Sequence, residues 1–274
     1  MNVQKVVLQG LRPEDYVHPA EARFHTAGNQ DGSLVQKGLS VLNDISIQLL
    51  MKITLGKYVE VDGKTAPDLA ALVADVCRIL NCPIQPKLYV CHEYGLTITV
   101  GGTEYVQLLV PDYILTAFDQ DMLYYVFGNA IAMIHSDHVK LATVCSVLGE
   151  NPATLPFKLV LEACMRAADL TSDRGGLLCC QSFPAAARCL LAEAGMPLGA
   201  LRGLDEGELL SLTEEFLALS SESSPDMLTQ FSSLWKRMNR GDSPAFYRLR
   251  ELYNWYRNGY PQVIGKWTGG EERQ

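Results

Sequence analysis

The sequence predicts an α+β protein, mostly α-helical, with a small antiparallel sheet packed on one long central helix and a helical C-terminal part. Three observations predict it. Apolar residues recur at helical spacing before residue 81 and again after residue 112. Between residues 87 and 110 the period switches to two. The segment 120–147 reads as a single long helix, with Asp119 as its cap.

The elements follow in order. A turn cluster covers 28–33, and Leu34, Leu39, Leu42, Ile45 and Leu49 then mark a helix. Residues 57–61 read as a short strand closed by Asp62-Gly63. Thr65 is the expected cap of a helix with Pro67 in its first turn, and Leu69, Leu72, Val73, Val76, Ile79 and Leu80 form its apolar face. Strands are expected at 87–90, at Leu96, Thr97, Ile98, Thr99 and Val100, and at 105–110, with Gly101-Gly102 as a turn. A short helix from Asp112 leads to Phe118. After the long helix, a loop over 149–156 leads into another helix running toward Arg174. There Gly175-Gly176 marks either a kink or a close backbone approach. Helix then follows helix to about residue 259, with loops at 195–203, 220–224 and 241–243.

No composition shift or linker divides the chain, so 1–274 reads as one domain: N-terminal helices over 1–85, the sheet and its helices over 86–180, a helical tail over 181–274. At 274 residues and 48% hydrophobic content the core is sizeable. The net charge of −8, spread without a Lys/Arg-rich run, argues against nucleic acid as a partner. No apolar stretch approaches the roughly 18 residues of a membrane span, and the N-terminus lacks the apolar core of a secretory signal. Eight cysteines without a C-x-x-C pair read as buried free thiols of a reducing, cytoplasmic compartment. The adjacent Cys179 and Cys180 point different ways on a helix, which disfavours a redox pair.

Several local motifs occur in a telling order. They are HPAEAR at 18–23, LYV at 88–90, EYVQLLVPDYILTAFDQDMLYYVFG at 104–128, DLTSDRGGLLCCQ at 169–181 and ELYNWYRNGYPQVIG at 251–265. Together they resemble the gluzincin metallopeptidases of the HtpX and CAAX-prenyl-protease type, in a form without the transmembrane hairpin. The resemblance implies a zincin-like fold and a zinc helix of the form GHExxHxxxxH. In that pattern two His on one helix face share a zinc, the neighbouring Glu is general base, and a Glu on the next helix is the third ligand.

Carried over to this chain, the first His falls on Asn129, the base on Ala130 and the second His on Met133, so HExxH is replaced by Asn129-Ala130-Ile131-Ala132-Met133. The third ligand falls on Asp169, while Asp173 and Arg174 match the family pattern. Ser243 stands before Pro244 where relatives carry His, with Arg248 or Arg250 in loose register. On a straight helix turning about 100° per residue, His135 and His138 lie on the far side from Asn129, whereas Asp137 lies at about 80°, on the cleft face. Asp137, Asp169 and Asp173 therefore form a candidate carboxylate cluster that would suit Mg²⁺ or Ca²⁺. The alternative is that Asp137 is solvated and Asp173 is ion-paired. No zinc is expected.

Three readings follow. The first is a catalytically inactive metallopeptidase-like protein that binds a protein or an extended peptide as a regulatory or assembly factor. Its binding edge would be Leu96, Thr97, Ile98, Thr99 and Val100, a β-prone run without the Pro or Lys that blunts sheet edges. That edge could instead be covered by a loop or by a second copy of the chain. The second reading is a metal-dependent hydrolase using the carboxylates. The third is a structural subunit with a collapsed cleft, its contacts made by the tail around Tyr253, Trp255, Tyr256 and Tyr260, unless those rings are core of the last helix.

Overall fold

The computed structural model describes residues 5–21, 58–102, 105–147, 155–222 and 245–268. The helix expected around Leu34 to Leu49 lies outside these residues, as do Ser243 and Pro244.

The first strand, β1 (Val59–Val61), leads into a tight turn. Asp62 Oδ1 accepts from the backbone N–H of Lys64 and of Thr65, each at 2.9 Å. Thr65 Oγ1 in turn accepts from Asp62 N at 2.8 Å. Thr65 is thus spent on the turn, and Ala66, not Thr65, is the N-cap of α1 (Pro67–Ile79). The expected apolar stripe of α1 is buried at Leu69, Val73, Val76 and Ile79.

The sheet adds β2 (Lys87–Cys91), β3 (Thr99–Gly102) and β4 (Val106–Pro111) in the order β1-β2-β4-β3. It is mixed rather than antiparallel. β1 with β2 and β3 with β4 are antiparallel, but β2 and β4 run parallel, Lys87 opposite Gln107 through Cys91 opposite Pro111. The period-two signal reports burial of one face and is silent on direction, which the connection decides. The 92–98 segment lets β3 pair back on β4 as an edge, leaving β4 free to lie beside β2. β3 is also displaced: it includes Gly101 and Gly102 and leaves Leu96, Thr97 and Ile98 outside the strand.

The short α2 (Asp112–Ala117) precedes α3 (Gln120–His135), whose cap Asp119 accepts from Met122 N at 2.9 Å. The long helix expected over 120–147 is broken. Asp137 takes a left-handed φ of 59°. His138 N–H then reaches Met133 O at 2.9 Å and Asp137 N–H reaches Ile134 O at 3.2 Å. These are the paired bonds that close a helix with a left-handed residue just beyond its end. A new helix, α4 (Val139–Val147), starts after the break.

α5 (Leu155–Cys180) passes through Gly175-Gly176 as one helix. The glycines mark a close approach to α3: a Cβ on Gly176 would lie 2.9 Å from the Tyr125 ring, and one on Gly128 2.5 Å from Cys179 Cβ. With side chains absent at the crossing, α3 and α5 pack backbone to backbone and form the centre of the core. α6 (Phe183–Glu193), α7 (Leu198–Arg202), α8 (Glu206–Glu222), α9 (Ala245–Asn258) and α10 (Tyr260–Thr268) complete the helical part. Tyr253 and Trp255 of α9 are buried, and Tyr256 stacks on Phe183 with ring centroids 4.7 Å apart. These aromatics are core. Among the described residues no helix is long and apolar enough to cross a membrane.

Candidate functional site

Three helices meet at the positions where the metallopeptidase pattern would place its chemistry. Asn129, Ala130 and Met133 come from α3, Asp169 and Asp173 from α5, and Arg248 from α9. Asp173 is the centre of the arrangement and is 1% exposed. Its Oδ1 accepts from Tyr125 Oη at 2.8 Å, from Asn129 Nδ2 at 2.9 Å and from Arg248 Nη2 at 2.7 Å. Its Oδ2 accepts from Arg248 Nε at 2.8 Å. The Arg–carboxylate pair is therefore a two-pronged fork, the strongest geometry such a pair adopts. Arg248 also donates through Nη1 to Glu193 Oε1 at 2.6 Å.

Burial alone would lower the Arg248 pKa, but Asp173 and Glu193 hold it well above its ordinary value, so the guanidinium stays charged. Burial and the Asp173 charge likewise push the Tyr125 phenol up, and it remains a donor. The network is complete. Among the described residues, the buried side-chain atoms without a partner are Gln107 Oε1 and His138 Nδ1, both outside it.

These side chains do not fit a zinc ion. Zinc takes imidazole nitrogen, thiolate or carboxylate oxygen. Here the Asn129 amide nitrogen is a donor already spent on Asp173, and Met133 offers a thioether. Ala130 presents a methyl, 1% exposed, where a general base would sit. Ala130 and Met133 are both part of the main hydrophobic cluster.

The carboxylate cluster is not assembled. Asp137 lies beyond the end of α3 in the left-handed conformation and is exposed, so its place on a continued helix no longer applies. Asp169 is half-buried and adds to the negative field at Arg248. Among the described residues no group of three or more His, Cys, Asp or Glu is placed to hold a metal ion. Arg174 turns away from Asp173. Its Nη1 donates to the carbonyls of Tyr16 and Val17 at 3.2 and 2.8 Å, and its guanidinium lies 5.1 Å from the Trp255 ring centre.

The helix break redirects His138, while His135 stays as the last residue of α3. His138 is buried, and its Nε2 lies 2.6 Å from Glu21 Oε1. Thr171 Oγ1 donates to the other Glu21 oxygen at 2.5 Å. His135 Nδ1 lies 3.0 Å from Tyr16 Oη. Burial lowers the His135 pKa below its ordinary 6.5. A group held below its unfolded pKa binds fewer protons in the folded state, so its stabilising share is present above that pH and lost below it. We predict that stability falls as pH drops below 6.5, and that His135→Gln, which keeps an acceptor for Tyr16, flattens this part of the slope. Denaturant unfolding of both proteins across pH 5 to 8 checks it; identical slopes would refute it.

The predicted binding edge is partly covered. Gly102 N–H donates to Thr143 Oγ1 of α4 at 3.2 Å, and Val100, Gly101 and Gly102 are buried. The N-terminal approach is open: Thr97 and Thr99 are exposed, and Leu96 and Ile98 half-buried. Tyr94, 80% exposed, stands beside it between His92 and Tyr113, with ring centroids 6.0 and 5.7 Å away.

Sequence reasoning missed Tyr125, Glu193, Glu21 and Thr171. Tyr125 was within reach, one turn before Asn129 on the same face of α3. Glu21 and Thr171 lie within the motifs at 18–23 and 169–181 but were given no role there, and Glu193 comes from a remote segment.

Plastoglobule-localized metallopeptidase 48, a chloroplastic protein of Arabidopsis thaliana, is 22% identical over 205 residues. The chain is similar to a metallopeptidase. The match covers 70% of this chain and 59% of the Arabidopsis protein, so the chain spans well under two thirds of that relative's length. No protein-family model matches the chain, and no solved structure matches it.

Proposed function

We propose that this chain is a catalytically inactive metallopeptidase-like protein, of the zincin-like fold, that acts by binding a protein or an extended peptide. The observation that carries the reading is the state of Asp173. In the peptidase pattern this carboxylate orients a ligand His. Here it is occupied by Arg248, Asn129 and Tyr125, and the position of the base is the buried Ala130. Retaining the fold without the reaction leaves recognition as the role a selected surface can serve. The half-buried Leu96 and Ile98, the exposed Thr97 and Thr99 and the neighbouring Tyr94 support an extended, apolar segment docking along this approach to β3.

A structural subunit is the second reading, favoured by the inclusion of Ala130 and Met133 in the core. One experiment tests both. The purified chain is dialysed against Zn²⁺, Mg²⁺ and Ca²⁺, its metal content is measured by elemental mass spectrometry, and it is assayed on unstructured protein substrates and a peptide array. Trace metal, no cleavage, and array binding lost in Ile98→Pro are expected. Close to one metal per chain with cleavage would overturn inactivity. Trace metal with no array binding would favour the structural subunit.

A further inference from the structure

Helix α1 ends in a tight turn that brings two thiols together. Leu80 is its C-cap and Asn81 takes a left-handed φ of 53°. Asn81 N–H bonds to Arg78 O at 3.3 Å, and Cys82 N–H bonds to Cys77 O at 2.9 Å. In this closing motif the residue three from the helix end and the second residue beyond it place their side chains against each other. Here those two residues are Cys77 and Cys82. Both thiols lie near one acceptor, the carbonyl oxygen of Ile84, at 3.6 and 3.9 Å. The backbone bond from Cys82 N–H to Cys77 O ties the two residues together across the turn, and a disulfide between them would need Cα atoms about 4.4–6.8 Å apart.

From this juxtaposition we infer that Cys77 and Cys82 form a dithiol modification site that closes to an intramolecular disulfide by exchange with a low-molecular-weight disulfide such as oxidised glutathione. The electrons balance in two steps. One cysteine, as thiolate, attacks a sulfur of the small disulfide and expels one glutathione thiolate, leaving a mixed disulfide. The second cysteine thiolate attacks the protein sulfur of that bond and expels the other. Two electrons and two protons pass from the cysteines to two glutathione molecules.

The surroundings set the rate. Cys77 and Cys82 are 1% and 5% exposed, and burial pushes the Cys77 thiol up to about 12 and raises that of Cys82. Exchange is therefore slow at neutral pH and faster in mild alkali. The cover over the pair is thin: Pro83, Ile84 and Gln85 are exposed, and local opening of such a segment costs less than global unfolding. Three further described thiols are placed differently. Cys179 and Cys180 are adjacent on one helix at 0% exposure, and Cys189 donates to Met122 O at 3.7 Å. Closure would lock the end of α1 that anchors the N-terminal segment, through Leu8 N–H on Ile79 O at 3.0 Å and Asn81 Nδ2 on Leu11 O at 3.3 Å.

The full chain, folded, is incubated with oxidised glutathione at neutral and mildly alkaline pH, its remaining thiols are alkylated, and it is digested with trypsin. The peptides 65–78 and 79–87 are expected to appear joined, lighter than their sum by two hydrogens, and to accumulate faster at the higher pH. In Cys77→Ala the ring cannot close, so Cys82 is expected to keep a glutathione adduct. Absence of the joined peptides from the folded chain, whether Cys77 and Cys82 stay reduced or carry glutathione, overturns the inference. So does joining that occurs only after full unfolding in guanidinium.

Discussion

Arg248→Met is expected to destabilise the protein by about 3–5 kcal/mol, the usual cost of removing one partner from a buried ion pair. The reason is what remains. Asp173 is 1% exposed and would be left without its cation, with only the Tyr125 hydroxyl and the Asn129 amide to satisfy it. Glu193 loses less, because its side chain is 23% exposed and can turn to water. A second substitution separates the pair from its surroundings. Asp173→Asn alone leaves a buried guanidinium with one charged partner. Asp173→Asn with Arg248→Met removes both charges and keeps an oxygen to accept from Tyr125 and Asn129. The double variant is therefore expected to be more stable than Arg248→Met, a coupling that a double-mutant cycle isolates. Chemical denaturation of the four proteins measures it. A loss below about 1 kcal/mol in Arg248→Met, the range of exposed pairs, would mean that water reaches Asp173.

That pair also shows where sequence reading stops. Asp173 was legible from the DLTSDRGG segment, and Arg248 was in sight only as one of two arginines in loose register. Nothing local says that α9 folds back to place Arg248 on Asp173, since 75 residues separate them. The helical part was readable because apolar stripes on α1 and α3 and the Asp119 cap act within a few residues. The break after His135 was not, because Asp137 takes a left-handed conformation usually left to Gly, with Asn or Asp as occasional occupants. That one residue redirects His138 and removes Asp137 from the cleft face, which undoes the carboxylate cluster. Sheet direction was hidden for a similar reason. Period-two patterning fixes which face is buried, while the parallel pairing of β2 with β4 depends on where the intervening 92–98 segment runs.

Gly175→Ala is the second large effect, because two opposing terms decide its sign. In a solvent-facing helix, Ala in place of Gly gains about 1 kcal/mol. At this position the added methyl would overlap Ala132 Cβ on α3. Neither atom can turn aside, since both are fixed to helix backbones, so α3 and α5 must separate. Overpacking of this kind costs about 1–3 kcal/mol and more where backbones must move. The same crossing holds Asn129 against Asp173 at 2.9 Å, so separation also loosens the polar network. We expect a net loss of about 2 kcal/mol or more. Ala132→Gly vacates the space on the other helix. Alone it should cost about 1 kcal/mol in helix propensity. Combined with Gly175→Ala it should restore most of the stability, because the methyl is then carried by α5 instead of α3. Unfolding free energies of the two single variants and the double provide the test. Additive losses, with no rescue in the double variant, would show that the Gly175 clash is relieved elsewhere and that the helix crossing is not the rigid centre of this core.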